Sequence, residues 1–283
     1  YGSNLVLKNE ISIGDLIAFN GYLAILEAPV TWIPWLLGRA KKFKVSFDRL
    51  DKMFKLPEEE IEDFEKNNND KLEGNIEIKN LTYNYPGYIE TVLENININI
   101  KKGESLGIIG VIGSGKTTLM NLLLKLYDVE RGKIFIDGKD INDIKVKTIR
   151  DNICYITQDN FLFSATLKEN INLFKDEYKD EDIEESTKQA MIYDEISSME
   201  EGINTVIGEK GIDLSGGQKQ RVVISRAFLN NSNIIIFDDT FSALDNRTEQ
   251  HVLNNIKELT KNKTCIIVSN RISDIKDCDK IIV

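Results

Sequence analysis

Residues 105–127 read SLGIIGVIGSGKTTLMNLLLKLY: a short apolar run, a glycine-rich loop and a helical pattern in direct succession. The loop, Gly110, Val111, Ile112, Gly113, Ser114, Gly115, Lys116 and Thr117, fits G-x-x-x-x-G-K-[ST], with Thr118 beside it. Its setting narrows the fold more than any other feature. The spacing predicts a strand over 105–110 and a helix over 116–127. The turn between them bares backbone N–H groups at a helix N-terminus, where they and the helix dipole attract anions. Lys116 is placed to bridge the β- and γ-phosphates of a nucleotide, and Thr117 to ligate Mg²⁺. A tight turn with no ligand is the bland alternative.

A second apolar strand, IIIFDD, ends in Asp238 and Asp239. Asp238 is placed to hold Mg²⁺ through water at the strand's carboxyl end. Alone this signal is weak, since many strands end in acidic turns, but after a phosphate loop it points to a P-loop NTPase. NIEIKNL and NININI alternate as strands, KTCIIVS is another apolar strand, and a helix is expected near 246–259. Strand–helix alternation of this kind predicts an α/β fold with a parallel sheet covered on both faces. The mostly helical pattern from about 165 to 229 predicts a separate helical lobe.

LSGGQKQR, Leu214–Arg221, decides the kind of NTPase. Here the chain resembles the ABC ATPase family, whose signature is LSGGQ, and the other family landmarks follow in order over about 210 residues. The resemblance implies an antiparallel β subdomain and the helical lobe around the parallel core. It also implies ATP as ligand, with Tyr85 stacking on adenine and Gln158 contributing to the Mg²⁺ and water site. Asp245 of SALD falls in the loop after the second acidic strand, and Gly208–Gly211 (GEKG) matches an exporter-type stretch facing the transmembrane domains. Ser215, Gly216, Gly217 and Gln218 open a helix, and in the family this surface closes on the ATP of a facing second domain. Plain strand packing for Tyr85 and an exposed loop position for Gln158 are the competing readings.

The chain departs from the family at two catalytic positions. Asp239 stands where a Glu polarises the attacking water, and Asn270 stands where a His meets the γ-phosphate. One methylene fewer withdraws the carboxylate by about 1.5 Å, whereas a general base works within about 2.6–3.2 Å of its proton donor. An amide donates a hydrogen bond but carries no charge. Both changes beside an intact phosphate loop imply a site that keeps ATP and hydrolyses it poorly. The signature remains intact, so the expected partner is a second half-transporter, in a heterodimer whose other site is competent.

Gly14–Gly38 is an apolar stretch of about 25 residues, roughly 37 Å of helix and enough to cross a bilayer, though Asn20, Glu27, Pro29 and Pro34 interrupt it. Arg39, Lys41, Lys42, Lys44 and Arg49 follow, marking a cytoplasmic end. A buried or amphipathic helix of a soluble protein is the alternative. Residues 11–54 resemble the last membrane helix of bacterial multidrug-type exporters. The implied organisation is 1–54 as the end of a transmembrane domain, 55–73 as an acidic, Asn-rich linker, and 74–283 as the nucleotide-binding domain. The implied location is the cell membrane, multi-pass, with that domain on the cytoplasmic face. The implied cargo is a drug, lipid or peptide. The ends, with no initiator Met and a stop inside DKIIV, read as those of a piece of a longer chain.

An acidic excess, 46 Asp and Glu against 36 Lys and Arg, argues against a nucleic-acid surface. It disfavours a non-transporting ABC ATPase acting on DNA or ribosomes. A module that senses ATP without turnover remains a third reading. Cys154 and Cys265 lie in apolar runs and read as buried strand thiols. His251, the single histidine, reads as a surface residue of a helix.

Overall fold

The computed structural model describes residues 1–55, 71–208 and 213–283. Most of the expected linker (56–70) and Glu209, Lys210 and Gly211 of GEKG lie outside the described residues. The chain divides into two units, Tyr1–Glu65 and Lys66–Val283.

The first unit holds α1 (Gly2–Leu7) and α2 (Ile13–Phe54). Ser12 and Asp15 start α2 with a reciprocal cap: Ser12 Oγ accepts from the Asp15 N–H at 3.0 Å, and Asp15 Oδ2 accepts from the Ser12 N–H at 3.0 Å. The helix then runs 42 residues, about 63 Å, straight through Pro29 and Pro34. The interruptions expected at the prolines do not end it, a tolerance common in membrane helices. None of its residues is buried, and Trp32 and Trp35 are 67% and 59% exposed. Arg39 lies 4.6 Å over the Trp35 ring, so the basic cluster begins against an aromatic residue. Among the described residues α2 is the one helix long and apolar enough to cross a membrane.

Among the described residues the second unit contains nine strands: β1 (Ile76–Tyr83), β2 (Leu93–Ile100), β3 (Ser105–Ile109), β4 (Ile134–Ile136), β5 (Lys139–Asp140), β6 (Ile153–Ile156), β7 (Ile234–Asp238), β8 (Thr264–Ser269) and β9 (Lys280–Ile282). Its helices are α3 (Lys116–Leu123), α4 (Val146–Asn152), α5 (Leu167–Asn172), α6 (Asp180–Gln189), α7 (Tyr193–Ser197), α8 (Gly216–Leu229), α9 (Asn246–Leu259) and α10 (Ile272–Ile275). One sheet is antiparallel in the order β2-β1-β4-β5, and the other is parallel in the order β6-β7-β8-β3-β9. The period-two pattern of IEIKNLTY buries Ile76, Ile78, Leu81 and Tyr83. A bulge at Lys79–Asn80, with Asn80 at φ 45°, restores that face after the pattern slips.

β7 and β8 are buried along their whole length, which is why they read as unbroken apolar runs. One face of the parallel sheet packs with α3 and the antiparallel sheet around Leu106, Ile236 and Val268. The other face, through Cys154, Phe237 and Cys265, shares its core with α5, α6 and α8. The helical region shares a core with the sheet, with Val222, Val223 and Ala227 of α8 in one buried cluster with Phe237 and Cys265. Phe237 and Phe241 are fully buried with rings 5.5 Å apart, each contributing about 2–3 kcal/mol by area.

Helix α3 is shorter than its apolar pattern. The chain turns out at Lys125, φ 52°, where Leu126 N–H reaches back to Asn121 O at 2.9 Å in a C-terminal motif that needs a left-handed residue. Cys154 and Cys265 are buried free thiols, and burial pushes the Cys154 thiol up to about 12. His251 is exposed on α9.

Candidate functional site

The carboxyl ends of β3 and β7 bring the phosphate loop and the paired aspartates together. A cleft of about 320 Å³ is lined by Val92, Ile112, Gly113, Gly115, Lys116, Thr117, Thr118, Gln158, Asp238, Asp239 and Asn270. Gly110, Val111 and Ser114 complete the loop without lining the cleft. Gly115 has φ +88°, and a Cβ there would lie 2.7 Å from Leu93 Cδ2 and 2.9 Å from Val92 O. Only glycine fits so close a backbone approach. Lys116 Nζ donates to the carbonyls of Gly110 and Val111 at 2.7 and 2.9 Å, so its ammonium is held at the loop by the loop itself.

Asp238 ends β7 and is 2% exposed. Tyr155, on neighbouring β6, donates its hydroxyl to Asp238 Oδ2 at 2.8 Å. Burial raises the Asp238 carboxyl above its ordinary value; hydrogen bonds from Tyr155 and Thr117 and the Lys116 charge oppose this, while Asp239 adds to it. Burial and that carboxylate push the Tyr155 phenol up, so it stays a donor.

Asp239 follows in the left-handed region at φ 46°, with its N–H on Val268 O at 2.8 Å. Aspartate tolerates this conformation. Its Oδ2 accepts from Gln158 Nε2 at 3.4 Å and from Asn270 Nδ2 at 3.2 Å. Three residues singled out from the sequence thus meet at one oxygen.

The oxygens of Thr117, Asp238 and Gln158 are a hard donor set that suits Mg²⁺. Among the described residues no cluster of three His, Cys, Asp or Glu side chains could hold a metal. When bound, Mg²⁺ neutralises charge on the β- and γ-phosphates. The loop N–H groups and Lys116 are placed where they could cradle phosphate, and Asp239, Gln158 and Asn270 where they could orient a water.

The signature lies outside this cleft. Ser215 caps α8, its Oγ accepting from the Gln218 N–H at 3.3 Å, and Ser215 and Gly216 are exposed. Gln218, expected to meet nucleotide, has its amide engaged within the chain. Its Oε1 accepts from Ser215 N–H at 2.8 Å, and its Nε2 donates to Glu195 Oε2 at 2.7 Å. Tyr85 is half-buried, edge-on to Tyr83 and Tyr127, with its hydroxyl 2.9 Å from Thr118 Oγ1. It stands beside the loop but not in the cleft lining. Asp245 caps α9, accepting from the N–H groups of Arg247 and Thr248 at 3.1 Å.

Sequence reading missed Tyr155, Val92, Glu195 and Gln220. Gln220 is fully buried, and its Oε1 accepts from Ala243 N–H at 2.9 Å, tying the signature helix to the SALD loop. Arg271, next to Asn270, bonds Glu249 Oε2 at 2.5 Å and Phe241 O at 3.1 Å. No motif spacing marks these residues, since their partners are distant in the chain.

A family model described as ABC transporter matches residues 93–242, more than half of the chain. The leukotoxin translocation ATP-binding protein LktB of Mannheimia glucosida is 38% identical over 282 residues, covering 100% of this chain and 40% of that protein. The alpha-hemolysin translocation ATP-binding protein HlyB of Escherichia coli O157:H7 matches with the same identity and coverage. The chain thus spans about two fifths of the length of these relatives. A solved structure of a bacterial Atm1-family ABC exporter with ATP bound superposes with a TM-score of 0.73 at 32% identity, covering 96% of this chain and 48% of that one. The chain belongs to the ABC transporter family, as an ATP-binding domain of exporter-type fold.

Proposed function

We propose that this chain is the ATP-binding part of an ABC exporter subunit that couples ATP binding and hydrolysis to movement of a substrate out of the cytoplasm. Residues 1–54 form the end of its transmembrane domain, 55–73 a linker, and 74–283 the nucleotide-binding domain. The observation that carries the reading is the convergence of Lys116, Thr117, Gln158 and Asp238 on one cleft. ATP occupies it with Mg²⁺ held by Thr117, Asp238 and Gln158, and Tyr85 meets the adenine from the side of Thr118. The exposed apolar length of α2 supports membrane attachment and disfavours the DNA- or ribosome-acting alternative.

The chain's own site hydrolyses slowly, and its signature completes a competent site on a second half-transporter. Two observations support this asymmetry: Asp239 carries the short carboxylate, and neutral amides, not an imidazole, meet it. Two weak sites in a homodimer would not sustain a pump. Among drug, lipid and peptide cargo, a polypeptide is favoured by the toxin-translocation names of the relatives.

The test is to purify the complete subunit from its host membrane and identify what accompanies it. A stoichiometric second half-transporter with Glu and His at the two altered positions is expected. Recovery of a homodimer with full ATPase activity would overturn the asymmetric reading, and a chain free of membrane would overturn the exporter reading.

A further inference from the structure

We propose that Glu195 on α7 is a positioning residue of the signature, holding the first turn of α8 so that Ser215 and its neighbouring amides meet ATP on the second subunit. This rests on the two-subunit reading above.

Gln218 is fixed at both ends of its amide, by Ser215 N–H on Oε1 at 2.8 Å and by Glu195 Oε2 on Nε2 at 2.7 Å. Its backbone N–H occupies Ser215 Oγ as acceptor at 3.3 Å, which leaves the hydroxyl hydrogen to donate outward. Glu195 is therefore the far anchor of a chain of contacts ending at Ser215. Without it, the Gln218 amide loses one of its two restraints, and the cap on which Ser215 depends loosens.

Charge arithmetic separates this role from an electrostatic one. A bare carboxylate near a helix N-terminus would repel a polyphosphate. Glu195 Oε1, however, is paired with Arg221, whose side chain is only 11% exposed. The pair is neutral, so Glu195 brings geometry and no net charge to the signature. Arg221 and Gln218 lie one helical turn apart on α8, so one carboxylate on another helix grips both.

The experiment uses the complete subunit in its assembled transporter, in lipid vesicles. Glu195→Ala should lower kcat about 10-fold with KM unchanged, the scale of a misplaced catalytic contact. Photolabelling of this chain by azido-ATP, which reports its own Walker site, should not change. Glu195→Gln keeps an acceptor for Gln218 and should retain most of the rate. Both variants lose the Arg221 pair and should lose similar thermal stability, so a merely structural role would slow them alike. In a Ser215→Ala background, Glu195→Ala should cost clearly less than its full effect, because part of that effect passes through Ser215. Equal slowing of the two Glu195 variants, or a full additional loss in that background, would overturn the proposal. If Ser215→Ala alone leaves the rate unchanged, the two-subunit reading fails first and this proposal falls with it.

Discussion

Asn270 donates from Nδ2 to Asp239 Oδ2 across 3.2 Å, so the two residues that the sequence reading singled out as weakening hydrolysis are direct partners. Gln158 reaches the same oxygen at 3.4 Å. A carboxylate already accepting from two amides has fewer lone pairs for a water, and a short side chain in a left-handed backbone has little freedom to turn away.

The first prediction follows from that contact. Asp239→Glu lengthens the acid, and Asn270→His replaces its neutral partner with one that can carry charge. Together they should raise turnover at this chain's own Walker site by about 10-fold or more, within the range of a general base. Each alone should give much less, because the positions interact directly. The measurement is a double-mutant cycle with the partner's competent site disabled. Small, additive effects would mean that the 3.2 Å contact has no bearing on turnover.

Lys116→Ala should weaken ATP·Mg²⁺ binding at least about 10-fold, since a charge-assisted bond is worth about 1.5–3 kcal/mol. The loop carbonyls of Gly110 and Val111 hold the ammonium at the cleft, and among the described residues no other cation lines it. Calorimetric titration checks this, with thermal unfolding as a folding control. Wild-type affinity in the variant would remove the phosphate-loop assignment.

Ser215→Ala should reduce steady-state ATPase of the assembled complex by about 100-fold, whereas Asp239→Asn should change it less than about 2-fold. Under the proposed asymmetry, Ser215 would serve the competent site of the second subunit and Asp239 the slow one. Paired rates at saturating ATP, with trapped nucleotide counted afterwards, decide it. The reverse ranking would make Asp239 a working base.

Tyr155→Phe should move the acid limb of Mg²⁺-dependent ATP binding to higher pH. Burial already raises the Asp238 carboxyl, and the Tyr155 hydroxyl opposes that by stabilising the anion. The ion needs the ionised form, so binding is present above the Asp238 pKa and lost as pH falls through it. Removing the hydroxyl raises that pKa further, and the loss then begins at higher pH. Affinity measured across an acidic pH series reads the shift. An unmoved acid limb would show that Asp238 does not set it.

Contiguous motifs were legible because their chemistry is local. Gly110–Thr117 needs only a strand, a turn and a helix in succession, and the chain supplies all three within one stretch. Pattern likewise carried the strand faces of 76–83, the buried runs of β7 and β8, and α9 at 246–259. The end of α3 was not legible, since Leu124 and Leu126 keep the apolar period after the backbone has turned out at Lys125. Which strands the helical region packs on was also hidden, because a helix period says that a face is buried and not against what.

By itself the sequence determined the strand–loop–helix of 105–123, the acidic end of β7 and the Ser215 cap of α8. These rest on residue type and short spacing, which the chain carries without folding. Only the tertiary structure decided that Tyr155 stabilises Asp238, that Glu195 grips Gln218 and Arg221, and that Asn270 touches Asp239. The partners in these contacts stand between 23 and 83 positions apart. Their approach depends on the β6–β7–β8 register and on how α7 packs beside α8, and a one-residue slip in β6 or β7 would turn Tyr155 or Asp238 to the opposite face.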